Sequence, residues 1–232
     1  MRVAVVIPAR NEAERIAATV RAAAGIAGVD TVLVVDDGST DDTAGIAGAA
    51  GARTVRHPRN RGKAAAMTTG AAAAPDADVL LFLDADLGDT AAGAAPLLAP
   101  VLADRADMTI ATLPAQHTAG GGHGFVVRLS RRGIQRATGF APVQPLSGQR
   151  CLTRAAFSRG LPLASGFGVE TALTIDLLRA GLRVQEVPCD LQHRVTGRDW
   201  RAQRHRLRQF VHVARALAPR APLCTPKAQK RT

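Results

Sequence analysis

The sequence predicts one α/β domain with a mainly parallel central sheet and helices on both faces. Two observations carry this expectation. Short runs rich in Val, Ile and Leu alternate with Ala-rich stretches of helical length, and polar turns separate them. The run Val79-Leu80-Leu81-Phe82-Leu83 is apolar throughout rather than alternating, as expected of a strand buried on both faces.

The elements follow in order. Arg2–Ile7 is a strand closed by Pro8, which has no N–H for a ladder bond. Ala9–Glu12 turns, and Glu12–Ala24 reads as a helix with Ile16 and Val20 on one face, ended by Gly25 and Gly28. Thr31–Val35 is the second strand. The stretch Asp36–Thr43 then supplies carboxylates and hydroxyls, and Asp41 or Thr40 can cap a helix reaching about Ala50. Arg53–His57 is a short third strand. Arg59-Asn60-Arg61-Gly62-Lys63 opens an Ala-rich helix to about Ala74, a corner suited to phosphate but without Walker A spacing. The Val79–Leu83 strand follows. Thr90–Leu102 is a helix reshaped near Pro96, and Asp107–Leu113 is a fifth strand.

The second half is less regular. Pro114–Gly124 is Gly-rich and reads as a mobile loop. Phe125–Thr138 is a helix with Val126, Leu129 and Ile134 as its apolar contacts. Gln144–Arg150 is polar and precedes the short apolar pair Cys151-Leu152. Gly166–Glu170 opens a helix to about Ala180, and Arg183–Val187 is the last β segment, ended by Pro188. Asp199–Ala218 is a basic helix with Leu207, Phe210, Val211 and Leu217 facing inward. The expected domain spans residues 1–218, and Pro219–Thr232 is expected to be a disordered basic tail.

Composition narrows the function classes. A chain of 232 residues, 47% hydrophobic, can bury one substantial core. No apolar run reaches the ~18 residues of a membrane span, and Met1–Ile7 enters a strand without a signal-peptide pattern. Cys151, Cys189 and Cys224 form no zinc spacing, which points to a reduced cytoplasm. The net charge of +11, concentrated between Arg194 and Arg231, suits phosphorylated substrates or the inner face of an anionic membrane. Nucleic acid is not favoured, because the basic segment has few aromatics for stacking.

The candidate chemistry gathers at strand ends. Asp84 and Asp86 follow the central strand, the edge where open α/β sheets bind ligands. Two carboxylates there attract Mg²⁺ or Mn²⁺, ions often shared with substrate phosphates. The competing role is a strand end followed by a helix cap. Asp36 or Asp37 can accept from a ribose or a base. Glu170 lies in the first turn of its helix, where the dipole favours a negative charge whether or not it is catalytic.

Four segments in order resemble a family 2-type nucleotide-sugar glycosyltransferase: Ile7-Pro8-Ala9-Arg10-Asn11-Glu12, Val35-Asp36-Asp37-Gly38-Ser39-Thr40-Asp41, Asn60-Arg61-Gly62-Lys63 and Asp84-Ala85-Asp86. The second half is similar to glucosyl-3-phosphoglycerate synthases through Leu146-Ser147-Gly148, Gly166-Phe167-Gly168-Val169-Glu170 and His193. The resemblance implies a GT-A fold, a Rossmann-like nucleotide-binding architecture, and a hexosyl transfer from a nucleoside diphosphate sugar such as UDP-glucose. It implies that Pro8, Ala9, Asn11, Glu12, Asp37 and Ser39 surround the nucleoside. Lys63, Asp84 and Ala85 would lie by the ribose and diphosphate. Asp86, of the DxD motif Asp84-Ala85-Asp86, and His193 would hold Mg²⁺ or Mn²⁺, and Leu146, Ser147 and Gly148 would touch donor sugar and acceptor. Glu170 would act as base in an inverting enzyme or position the sugar in a retaining one. Arg150, Arg194 and Arg198 would then line an anionic acceptor, a small phosphorylated molecule or a lipid phosphate. The chain departs from the synthases in lacking their extra segments and the Arg-rich spacing around His193. Alternatives are a sugar-nucleotide pyrophosphorylase and a non-catalytic nucleotide-sugar-binding protein. Peripheral membrane contact and a homodimer are compatible with either half of the resemblance.

Overall fold

The computed structural model describes residues 1–113, 124–192 and 200–220, with the backbone alone for 200–208. The strands are β1 (Val3–Ala9), β2 (Thr31–Asp36), β3 (Arg53–Arg56), β4 (Val79–Phe82), β5 (Met108–Thr112), β6 (Arg150–Thr153) and β7 (Val184–Pro188). They form one sheet in the order β3-β2-β1-β4-β6-β5-β7. β6 runs antiparallel to both its neighbours, and the other pairings are parallel. The expected α/β architecture is therefore present, with one reversed strand in the interior of the sheet.

The helices are α1 (Ile16–Ala24), α2 (Thr43–Ala49), α3 (Lys63–Ala73), α4 (Leu98–Leu102), α5 (Gly124–Thr138), α6 (Arg154–Arg159), α7 (Val169–Arg179) and α8 (Trp200–Leu217). Strand alternation assigns them to two faces. Val3, Val5 and Ile7 of β1 pack with Ile16 and Val20 of α1 in one core. Ala4 and Val6 face the other core, with Met67 and Ala71 of α3 and Leu173 and Leu177 of α7. Phe82 and Phe157 stack in that second core with ring centroids 5.4 Å apart.

Several boundaries differ from the expectation for identifiable reasons. α1 starts at Ile16 rather than Glu12 because residues 13–15 form a turn, in which Glu12 O accepts from Arg15 N at 3.0 Å as well as from Ile16 N at 2.9 Å. Gly88–Leu97 is a 3-10 helix containing Pro96, and only Leu98–Leu102 is α-helical. The apolar pair Cys151-Leu152 belongs to β6, a fully internal strand. Among the described side chains of α8, Val213 and Ala216 are buried and Phe210, Val211 and Leu217 are half-buried, while Leu207 lies where only backbone is described. A further 3-10 turn, Ala218–Arg220, extends past the expected boundary at 218, and Arg220 holds Asp176 with Nε 2.7 Å from Oδ1. Residues 114–123, which make up nearly all of the expected Gly-rich loop, and the segment 221–232 lie outside the described residues. Among the described residues no helix is long and apolar enough to cross a membrane.

Candidate active site

The carboxyl ends of β1, β2 and β4 meet the amino end of β6 at one edge of the sheet. β6 is antiparallel, with Phe82 opposite Arg150, so the residues just before β6 lie beside the residues just after β4. This reversal brings Ser147, Gly148 and Gln149 next to Asp84.

Lys63 is the hub. It occupies the first position of α3, and its Nζ lies 2.7 Å from Asp84 Oδ1 and 3.0 Å from Glu170 Oε1. Gln149 Nε2 donates to the other Asp84 oxygen at 2.7 Å, and Ser147 Oγ donates to Gln149 Oε1 at 3.2 Å. Gly148 lies so close that a Cβ there would sit 2.5 Å from Lys63 Nζ. Burial works against the Lys63 charge, but Asp84 and then Glu170 outweigh it and hold the ammonium's pKa well above its ordinary value. Lys63, Asp84, Ser147, Gly148 and Glu170, from four separate segments, thus converge. Leu146 is half-buried at the start of the same loop.

A second set of bonds shapes the neighbouring loops. Asn11 N donates to Ser39 Oγ at 2.9 Å, Thr40 N donates to Asn11 Oδ1 at 2.8 Å, and Glu12 N donates to Thr43 Oγ1 at 2.9 Å. The turns after β1 and β2 are therefore joined, with half-buried Pro8 and buried Ala9 beneath them. The Asp84-Ala85-Asp86 segment is held by α1 and the turn before it: Thr19 Oγ1 donates to Ala85 O at 2.9 Å and accepts from Gly88 N at 2.8 Å, while Arg15 Nη1 donates to Asp86 O at 3.1 Å. The Ala85 methyl packs into the core, so what this residue offers the site is its backbone. Asp86 is half-buried at the rim.

Two expected roles are corrected. Asp37 does not present its carboxylate to the open edge. It is buried, and its oxygens accept from His57 Nδ1 at 2.7 Å, Arg61 N at 2.8 Å and Gly62 N at 2.7 Å. Burial pushes its pKa up, but the His57 hydrogen bond and the two amides outweigh that and leave it below the ordinary carboxylate value. Asp37 therefore fixes the loop leading into Lys63. Its neighbour Asp36 differs: Oδ1 accepts from Ser39 N at 2.8 Å, while buried Oδ2 lies 3.1 Å from Arg56 Nε as an ion pair and takes no hydrogen bond.

Arg150 is the second correction. It is 1% exposed, so it cannot line a solvent-facing acceptor site. Its guanidinium donates to Ser147 O at 2.8 Å, Pro145 O at 3.1 Å and Thr174 Oγ1 at 2.8 Å. Burial pulls its pKa down, to about 10, with Glu170 and Glu186 opposing. Arg150 ties the 145–147 loop to α7, the helix that carries Glu170. His193, Arg194 and Arg198 lie outside the described residues.

Sequence reading missed Gln149 and His57. Neither stands in a motif, and a lone Gln between a glycine and an arginine, or a lone His before a proline, carries no periodic signal. Each becomes visible only through its partner, Asp84 for Gln149 and Asp37 for His57.

The chain is similar to known proteins in both sequence and fold. The chain is 33% identical over 212 residues to Glycosyltransferase AglJ of Haloferax volcanii, covering 85% of this chain and 65% of that one. It is 32% identical over 206 residues to the glucosyl-3-phosphoglycerate synthase of Mycobacterium tuberculosis, covering 78% and 62%. The chain thus spans less than two thirds of the length of these curated relatives. Among solved structures, the M. tuberculosis synthase in complex with phosphoglyceric acid superposes with a TM-score of 0.78 at 30% identity, over 96% of this chain and 81% of that one. The same synthase with Mn²⁺ and UDP-glucose gives 0.77 at 29% identity, over 96% and 80%. The fold is accordingly GT-A. The sequence model described as glycosyl transferase family 2 matches residues 4–144, more than half of the chain, and the chain belongs to that family.

Proposed function

We propose that this chain is a metal-dependent glycosyltransferase that moves a hexosyl group from a nucleoside diphosphate sugar, UDP-glucose or a close analogue, to a hydroxyl of a phosphorylated acceptor. The observation that carries the reading is the Lys63 ammonium held between Asp84 and Glu170 at the carboxyl edge of the sheet. The M. tuberculosis synthase has been solved with Mn²⁺, UDP-glucose and phosphoglyceric acid together, which supports the same classes of donor and acceptor here.

Breaking a bond to a diphosphate builds negative charge on the leaving oxygens, and a fixed cation stabilises that charge more than the ground state. Lys63 supplies such a cation. Gln149 fixes Asp84, Asp84 aims Lys63, and Glu170 stands on the opposite side of the ammonium, where it can position the sugar. The Asn11–Ser39 junction forms the nucleoside end, and the unsatisfied Asp36 Oδ2 can accept from a ring N–H of the base once Arg56 moves aside. The residues fit a hard divalent cation shared with the substrate. Among the described residues no group of three or more His, Cys, Asp or Glu could hold an ion unaided, so Asp86, with His193 beyond the described residues, would complete its shell with diphosphate oxygens. Bound there, Mg²⁺ or Mn²⁺ would act as a Lewis acid on the leaving group.

The test is UDP release from UDP-glucose with Mn²⁺, followed with and without 3-phosphoglycerate. Release that depends on the metal and rises with the phosphorylated acceptor supports the reading. Full activity in EDTA, or none with any nucleoside diphosphate sugar, overturns it.

A further inference from the structure

A groove of about 350 Å³ runs between α5 and the end of α8. Its floor is apolar and includes Phe125, Leu129 and Leu217. Gly133 lets α8 approach closely, since a Cβ there would lie 2.4 Å from Leu217 Cδ2. Arg128, Arg132 and Arg136 form the rim. Four-residue spacing puts them in one row on the helix, about 12 Å long. All three are exposed, and among the described residues none of them has an ion-pair partner. Arg220 at the end of the groove is spent on Asp176. Phe125 is 61% exposed, with its ring centroid 5.5 Å from that of Phe210.

A row of unneutralised guanidiniums beside an exposed phenyl ring and an aliphatic floor is complementary to an anionic amphiphile. Charge argues against the other occupants. A two-fold contact between copies would set arginine row against arginine row. The chain's own residues 221–232 contain Lys227, Lys230 and Arg231 and no acidic residue, so they repel this rim. A single nucleic-acid strand wants successive aromatic platforms along its track, and here the exposed ring is Phe125 alone. We infer that this groove is a docking surface for an acidic phospholipid bilayer, with the arginine row on headgroup phosphates and Phe125 at the acyl boundary. The surface is physically tied to the candidate active site: Ser130 of α5 hydrogen-bonds Thr171 of α7 at 2.7 Å, and Thr171 follows Glu170. The inference itself stands apart from the transferase reading, because it concerns binding alone.

The test is co-sedimentation of the full chain with vesicles of phosphatidylcholine alone and of phosphatidylcholine mixed with phosphatidylglycerol. Binding is expected only with phosphatidylglycerol and should weaken steeply with salt. Arg128→Ala with Arg132→Ala should weaken it roughly 25-fold, since each basic residue near such a surface contributes about a factor of five. Phe125→Ser should weaken it about tenfold through lost apolar insertion. Both substitutions are at exposed positions, and each reads the surface independently if the other perturbs folding. Equal binding to both vesicle types, no binding, or wild-type partitioning by both variants would overturn the inference. So would tighter binding to single-stranded RNA than to the vesicles, or a dimer that the arginine substitutions dissolve.

Discussion

Gly148→Ala tests the geometry of the candidate site without deleting a functional group. A Cβ at this position would lie 2.5 Å from Lys63 Nζ and 2.7 and 2.8 Å from the Asp84 carboxylate oxygens, against an ordinary contact of 3.4 Å or more. The backbone there is not left-handed, so the perturbation is confined to these contacts. Gln149 holds the Asp84 carboxylate at 2.7 Å, so the carboxylate must yield by about 0.7 Å against that bond and the ammonium by about 1 Å. That displacement stretches the 2.7 and 3.0 Å contacts to Asp84 and Glu170 beyond hydrogen-bond range. The Lys63 and Asp84 side chains are 30% and 28% exposed, so solvent screens the loss and stability should fall by only about 1 kcal/mol. For a chain of this size that is a Tm decrease of about 2–4 °C. Turnover should fall much further, by about 10²-fold, the scale of a 1 Å misplacement of a catalytic group. Thermal melts and UDP release from UDP-glucose with Mn²⁺ measure the two effects separately. A folded Gly148→Ala protein with turnover within about threefold of the parent would refute the role given to the Lys63 position.

Arg150→Met should cost about 3 kcal/mol in urea unfolding, because three acceptors lose a charged donor in the interior, and Arg150→Lys should recover only part of it. Thr19→Val keeps the side-chain volume but leaves Ala85 O and Gly88 N unpartnered. It should cost about 1–3 kcal/mol and raise the Mn²⁺ concentration needed for half-maximal UDP release. Asp37 has a folded pKa below its ordinary 3.8, so its stabilisation is complete above that value and lost as pH falls through the lower folded value. The Tm difference between parent and Asp37→Asn should therefore shrink as pH falls below 3.8; a difference independent of pH there would contradict the assignment.

The parallel half of the fold was legible because buried parallel strands and Ala-rich helices leave strong local patterns. The apolar runs announce β1 and β4, although β1 continues through Pro8 to Ala9, beyond the end expected at Pro8, because its pairing with β2 persists there. β6 was not legible: four residues, one of them a buried arginine, carry neither alternation nor a continuous apolar run. The site divides along the same line. Lys63, Asp84 and Glu170 stand in local motifs, and the structure brings them together. Arg150 reads as a surface cation in sequence because nothing local announces that carbonyls of its own loop will enclose it. The choice between Asp36 and Asp37 depended on a partner, His57, 20 residues away from Asp37, whose burial no local pattern shows.

The reversed strand has a consequence for how the chain is made. β4 waits for its neighbour across a long stretch of sequence, since Leu81 pairs with Cys151. During synthesis the β3-β2-β1-β4 half can assemble with β4 as an unsatisfied apolar edge, a template for wrong pairing until residues 150–153 emerge. The segment matched by the family, residues 4–144, ends just before that strand. A truncation there would keep Lys63 and Asp84 yet remove Gln149, Glu170 and the cover of β4 together. The amino-terminal half is thus not a module that can be excised: its last strand is closed, and Asp84 oriented, by the half that follows.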